Sequence, residues 1–421
     1  MKIKSRRVNI TDYDWVSIIL FVGLIIIGIL SIYSTEYNKL KTHFINNYYS
    51  KQILWSSISV LIIIAIGFLP IKKIKHFSSI IYLVGLLSLI LVLIFGANIN
   101  GNRSWFRFGN FSIQPAEFVK VTTVLGLATL LSDIDFKLNK IKDFLKATIL
   151  ILLPVFLILM QPDLGSAIVF ISLFLVLYRE GLELKYYLFI MYLVGLFILT
   201  IYLGKNNMLI TAVILYITLN VIYYFKLKKT ILLKTLIFLL ITLTSILSTD
   251  IIFHKILKPH QRNRIEIVLG KKKDDKGTGY NLKQALIAIG SGGFSGKGLN
   301  MSTQTKGYFI PEQHTDWIFT VIGERWGFIG SMMLIILYLS LLYRILFLAE
   351  RQKQKFSRIV GYGLLSILFI HFSLNLLMVL GIFPTIGIPL PFISYGGSSL
   401  WAFTILLFLF LKFDAHRKED W

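Results

Sequence analysis

A chain of 421 residues that is 56% hydrophobic and only 15% charged lacks the composition of a soluble globular protein, in which about a quarter of residues carry charge. Its formal charge of +23 would suggest nucleic acid, but the Lys and Arg residues cluster at the ends of apolar runs. There they set topology and meet anionic lipid head groups. The chain has no cysteine, which excludes disulfides, thiolate metal sites and cysteine nucleophiles.

The N-terminus, MKIKSRR, precedes an apolar run from Trp15 to Tyr33. That run is too long for the apolar region of a signal peptide and no small-residue cleavage site follows, so it reads as a retained first span. Further runs lie near 52–69, 77–95, 116–131, 144–160, 164–178, 186–203, 208–225, 230–252, 316–347, 359–380 and 394–411. Runs near twenty residues match a bilayer core of about 30 Å, and because they are continuously apolar they are helices and not barrel strands. The expected fold is all-α: a polytopic membrane protein of about 10–12 helices forming one domain over 1–421. The 164–178 run is short, and reads either as a full crossing or as a buried or re-entrant helix.

With the basic N-terminus inside, the loops holding IKKIKH (71–76), KLNKIK (137–142), KLKK (226–229) and RQKQKFSR (351–358), and the C-terminal KFDAHRKED, all fall on the cytoplasmic side. The opposite loops are poor in charge, except for a large extracytoplasmic loop over about 253–315. Long loops escape the charge rule, and this one is the least membrane-like stretch of the chain and the natural place for chemistry.

Candidate residues follow in chain order. GNRSWFRFGNFSIQPAEF (101–118) sets Arg103 and Arg107 among Trp105, Phe106 and Phe108, a combination suited to phosphate head groups, although an aromatic belt accounts for the rings alone. Glu117 and Lys120 share a helix face at i and i+3. Asp163, Asp316, Glu324 and Arg325 lie in or beside other apolar runs. A charge at bilayer depth costs at least about 2.5–3.5 kcal/mol, so such groups pair or line a polar cavity. The external loop combines Asp274 and Asp275 with Arg262, Arg264, Lys271 to Lys273, Lys297 and Lys306. A carboxylate among cations suits transfer from a phosphorylated donor: the carboxylate takes a proton or holds a divalent ion, and the cations steady a diphosphate leaving group. A solvated charged loop has the same ingredients. GSGGFSGKG (290–298) fails the Walker A spacing and reads better as tight turns that allow close backbone approach. GIFPTIGIPLPFISYGGSS (381–399) breaks helix at membrane depth, which is tolerated where backbone is buried or lines a cavity.

At these segments the sequence resembles the SEDS family (shape, elongation, division and sporulation) of bacterial membrane peptidoglycan glycosyltransferases. The matching stretches are NRSWFRFGNFSIQPAEFVK, QPDLGSA, DDKGTGYNLKQALIAIGSGGFSGKGLN, TQTKGYFIPEQHTDWIF and GIPLPFISYGGSS, in family order. TQT followed by PEQHTD resembles the elongation and rod-shape members more than the division members. The resemblance implies polymerisation of lipid II into glycan strands at the outer face of the cytoplasmic membrane, with undecaprenyl diphosphate as the leaving group. It also implies a divalent cation, Mg or Mn, no organic cofactor, and a class B penicillin-binding protein as transpeptidase partner beside other elongation-machinery membrane proteins. The family's essential carboxylate stands three residues before the GxGY motif, here Gly277, Gly279 and Tyr280, which matches Asp274 as general base or metal ligand. In place of the Pro and hydrophobic residue common after that Asp, this chain has Asp275 and Lys276, which brings Asp275 forward as an alternative. Carried over by motif, Arg103, Glu117, Lys120, Asp163, Lys297, Glu312, His314, Thr315, Asp316 and Ser398 are expected to shape the cavity and bind substrate. The family commonly has ten spans, so the surplus falls within 186–252. Composition and topology alone equally suit a transporter that flips a lipid, and a noncatalytic scaffold is a third reading.

Overall fold

The computed structural model describes residues 10–36, 47–99, 102–109, 111–227, 232–272, 277–299 and 301–419. The chain divides into two compact units, one of residues 1–181 with 280–421 and one of residues 182–279. Hydropathy marks each span but carries no record of which spans share a core.

In the larger unit α1 (Trp15–Glu36), α2 (Tyr48–Phe68) and α3 (Ile71–Phe95) lead into a small antiparallel sheet, β1 (Ala97–Ile99), β2 (Asn102–Phe108) and β3 (Phe111–Ile113). Ala97 pairs with Trp105 and Phe106 with Ile113, so the sheet modifies the all-helical expectation. Next come α4 (Pro115–Ser132), α5 (Ile141–Met160), α6 (Leu164–Ile171) and α7 (Phe174–Arg179). Pro115 suits the first turn of α4, where its missing N–H has no partner to lose. Val119, Val124, Leu127 and Ala128 are all buried, as in a helix enclosed on every side. By contrast α2 leaves Leu61, Ile64 and Phe68 exposed, an apolar outer face suited to lipid.

The smaller unit holds α8 (Leu184–Leu203), α9 (Lys205–Leu227), α10 (Leu232–Ile251), which runs on into a π-turn at Ile252–Ile256, and α11 (Pro259–Val268). Its core is Leu196, Met208 and Ile246, with Tyr192, Leu209 and Ala212 packed against it. The Tyr192 hydroxyl meets Thr242 Oγ1 at 2.7 Å.

The larger unit resumes within α12 (Thr278–Gly292) and continues with α13 (Ile318–Glu350), α14 (Lys355–Val379) and α15 (Gly397–Ala415). The 253–315 segment is therefore partly helical and not one irregular loop: α12 buries Ala285 and Ala288. The 316–347 run is interrupted too, since Gly327 breaks α13 with φ 64° and ψ −156°.

Among the described residues eleven helices are long and apolar enough to cross a membrane. The ambiguous 164–178 run is a shorter apolar segment, Leu164–Arg179, broken into α6 and α7. Asp163, at the start of α6, is bonded to Gln114 ahead of α4, whereas Arg179, at the end of α7, pairs with Glu350 at the end of α13. Glu180 meets Arg358 in the first turn of α14. The pair α6–α7 thus links opposite ends of the unit, and sixteen helical residues span about 24 Å. Arg344 with Asp14 and Arg351 with Asp414 complete an ion-pair belt. It places the start of α1 and the end of α15 at the same end of this unit.

Candidate active site

At the other end of the larger unit several distant motifs meet. Gln114 donates through its backbone N–H to Ser398 Oγ at 3.2 Å and through Nε2 to Asp163 Oδ2 at 2.9 Å. Asp163 also accepts from the Ser166 amide (3.0 Å) and hydroxyl (2.8 Å), so its carboxylate caps α6 and satisfies donors that the helix leaves open. Gly165 lies against 386–387: a Cβ there would sit 2.8 Å from the Ile386 carbonyl oxygen. Gly387 has φ 73°, and a Cβ on it would stand 3.0 Å from Asp316 Oδ2. Only glycine allows the three segments to come this close.

One turn into α4, Lys120 donates to Glu117 Oε1 at 2.7 Å. Both residues are buried, at 2% and 4% exposure, which makes this a desolvated pair. The second Glu117 oxygen, Oε2, is buried with no hydrogen-bond partner. The Lys120 ammonium also lies 3.0 Å from His371 Nε2 and 5.2 Å from the centre of the Phe403 ring.

The 312–316 segment is held from several sides. The His314 ring lies 3.0 Å from Thr35 Oγ1 through Nδ1 and packs on Tyr48 with ring centres 4.6 Å apart. The Tyr395 amide donates to the His314 carbonyl at 2.8 Å, and Ser394 Oγ donates to the Thr315 carbonyl at 2.6 Å. Thr315 Oγ1 donates to the Glu312 carbonyl at 3.2 Å, and Glu312 itself is exposed, with φ 54°. Asn375 Nδ2 donates to the carbonyls of Asp316 (2.8 Å) and Ile388 (2.7 Å).

Glu324 and Arg325 serve this scaffold. Glu324 accepts the amides of Thr303, Gln304 and Thr305 at 2.7, 2.9 and 2.8 Å. Arg325 donates from Nε to Thr305 Oγ1 at 3.2 Å and from its head group to the Ser34 carbonyl. The glycine-rich stretch fills the break in α13. Lys297 N–H donates to the Glu324 carbonyl at 3.0 Å, Gly298 N–H to Arg325 at 2.9 Å, and Phe328 N–H to the Gly293 carbonyl at 2.9 Å. The tight-turn reading is the one the structure realises.

The structure thus joins Asp163 and Ser398 through Gln114 and Glu117 to Lys120 and His371, and it ties the Asp316 carbonyl to Asn375, with His314 and Thr315 in the same 312–316 segment. Arg103 stands apart, exposed on β2, and the Lys297 side chain is half-buried. Asp274 and Asp275 lie outside the described residues. Among those described, no group of three or more His, Asp or Glu side chains could hold a metal ion. The sequence reading missed Gln114, His371 and Asn375. The last two form an i, i+4 polar pair inside an apolar span, and the cost of such groups in lipid is the signal that could have found them.

A model for the family described as cell cycle protein, covering FtsW, RodA and SpoVE, matches residues 14–209 and 188–419. The chain is 32% identical to the peptidoglycan glycosyltransferase RodA of Treponema pallidum, over 97% of this chain and 99% of that one. It is 29% identical to MrdB of Escherichia coli K12 (88% and 90% covered) and 32% identical to the probable FtsW of Wigglesworthia glossinidia brevipalpis (95% and 93%). Among solved structures, a chain from work on how a peptidoglycan synthase complex coordinates polymerization and crosslinking superposes with a TM-score of 0.73, at 28% identity and 97% and 99% coverage. The rod shape determining protein RodA of Thermus thermophilus superposes at 0.62, with 25% identity over 97% and 98%.

Proposed function

The chain belongs to the FtsW/RodA/SpoVE family of cell cycle proteins, and from that premise we propose that it builds glycan strands from lipid II during cell elongation. It is a multi-pass membrane protein and a peptidoglycan glycosyltransferase. The observation that supports this reading best is the convergence of motifs: Gln114 bonds Asp163 and Ser398, three segments separated by most of the chain.

In the proposed step the 4-hydroxyl oxygen of the acceptor sugar attacks the anomeric carbon of the donor with inversion. The bond to undecaprenyl diphosphate breaks and the diphosphate carries away the electron pair. Asp274 accepts the hydroxyl proton, the role of a general base on the acceptor side. Glu117, Lys120 and the 312–316 segment shape the site. We assign the enzyme to the bacterial cytoplasmic membrane, both termini inside and Asp274 outside, where lipid II is presented. A divalent cation is a further proposal. Asp274 is the carboxylate we assign to it, as the alternative to the base role, with one or two carboxylates and the substrate diphosphate sufficing to hold such an ion. A class B penicillin-binding protein is the proposed partner, supported by the synthase complex to which the fold is similar.

The test is glycan-strand formation from purified lipid II in detergent, with and without that partner and with and without EDTA. Wild type and Asp275→Ala should polymerise and Asp274→Ala should not. Folded wild type that makes no polymer with partner and divalent cation present would instead favour a lipid transporter.

A further inference from the structure

His371 is 1% exposed on α14, and its two ring nitrogens have different partners. Nδ1 lies 3.1 Å from the Pro389 carbonyl oxygen and Nε2 lies 3.0 Å from Lys120 Nζ. A carbonyl can only accept, so Nδ1 carries the proton, and the lone pair at Nε2 receives a hydrogen from the ammonium. The ring is therefore neutral and held in a single tautomer. The edge-on Phe403 ring, with centres 5.0 Å apart and planes at 90°, fixes its tilt. Lys120 has three donors, one directed at Glu117 Oε1 and one at His371. The third, together with the orphaned Glu117 Oε2, suits a group that both accepts and donates, as a hydroxyl or a water does.

We propose that His371 is a positioning residue for glycosyl transfer. Through Nε2 it holds the Lys120 ammonium in register with Glu117, and through Nδ1 it ties that register to the 388–389 backbone. Asn375, one turn later, grips the same irregular segment and the Asp316 carbonyl. One face of α14 thereby sets the buried pair of α4 against the 312–316 segment. The proposal rests on the chain being a lipid II polymerase in which Glu117 and Lys120 face substrate.

The two nitrogens can be separated by substitution. In His371→Gln the side-chain oxygen reaches the Nε2 position and accepts from Lys120, while the link to Pro389 is lost. In His371→Asn the amide nitrogen takes the Nδ1 position and donates to Pro389 but falls short of Lys120. Full-length variants are assayed for lipid II polymerisation as kcat and KM separately, with thermal unfolding in detergent measured alongside. His371→Gln should stay within about threefold of wild-type kcat, whereas His371→Asn and His371→Ala should lose about tenfold or more, the scale of one charge-assisted hydrogen bond. The reverse order, Asn active and Gln inactive, would overturn the proposal and leave His371 as a tie for the 388–389 backbone. Equal activity of all three would overturn it as well. Where His371→Gln fails to fold, a cycle of His371→Ala with Lys120→Met decides: the double variant should be no worse than Lys120→Met alone, and additive losses would refute action through Lys120. Absence of polymer from folded wild type would refute the polymerase reading itself and the proposal with it.

Discussion

Glu324 receives three successive backbone amides, 303 to 305, on one carboxylate, an arrangement in which backbone N–H groups form a nest for an anion. Its removal strands those donors, and each hydrogen bond to a charged group contributes about 1.5–3 kcal/mol. Glu324→Ala should therefore lower stability by about 3 kcal/mol or more, and Glu324→Gln, which keeps an acceptor, by less. Thermal unfolding in detergent checks this, and an unchanged midpoint for the alanine variant would refute the anchoring role. Asp14, ahead of α1, offers a pH-dependent counterpart. Burial alone would raise its carboxyl, but hydrogen bonds from Arg344 and Ser17 and the guanidinium charge outweigh burial and hold it below its ordinary 3.8. A carboxylate with a lowered folded pKa adds stability that is complete above the unfolded value and is lost as pH falls through the folded one. The stability gap between wild type and Asp14→Asn should be flat above about pH 5 and shrink below about pH 4. A gap that widens in acid would contradict the ion pair.

Close approach of elements through glycine is the next level of organisation. A methyl on Gly165 would press on the 386 and 387 carbonyls, backbone that has no rotamer with which to yield, so Gly165→Ala should push α6 from that segment. It should lower both the unfolding midpoint and polymer yield. Gly195 in α8 has open space around its Cβ position, and there Ala should be neutral or stabilising by up to about 1 kcal/mol. Equal effects at the two positions, measured side by side, would show that the 165–386 contact does not govern packing. The helices were legible from hydropathy because lipid demands long apolar runs. Glu117, Lys120, Asp163 and Asp316 were legible because charged groups in or beside such runs are costly, whereas Glu312, His314 and Thr315 were legible only through the family motif. The sheet was not, since β1 and β3 have three residues each and their pairing is set by neighbours more than by propensity. Nor was the break at Gly327, which depends on Gly293 and Phe294 returning to bond Phe328 and Ile329. The sequence shows a glycine there but not the partner that fills the gap.

At the scale of the whole molecule, parity decides which residues face lipid II. Eleven long helices alone would put the termini on opposite sides of the membrane. The broken pair α6–α7 is expected to add a crossing, because its ends are bonded to opposite ends of the larger unit, at Gln114 and at Glu350. With twelve crossings, the proposed topology expects the sequence between α10 and α13, position 274 included, on the side opposite both termini. The absence of cysteine makes this directly measurable, since any introduced thiol is the sole one. Lys272 and Lys353 are both exposed. In intact spheroplasts a membrane-impermeant maleimide should label Lys272→Cys, and should label Lys353→Cys only after lysis. The opposite pattern would mean that α6–α7 does not cross and would put Asp274 on the cytoplasmic side. A glycosyl transfer using lipid II at the outer face could not then take place there.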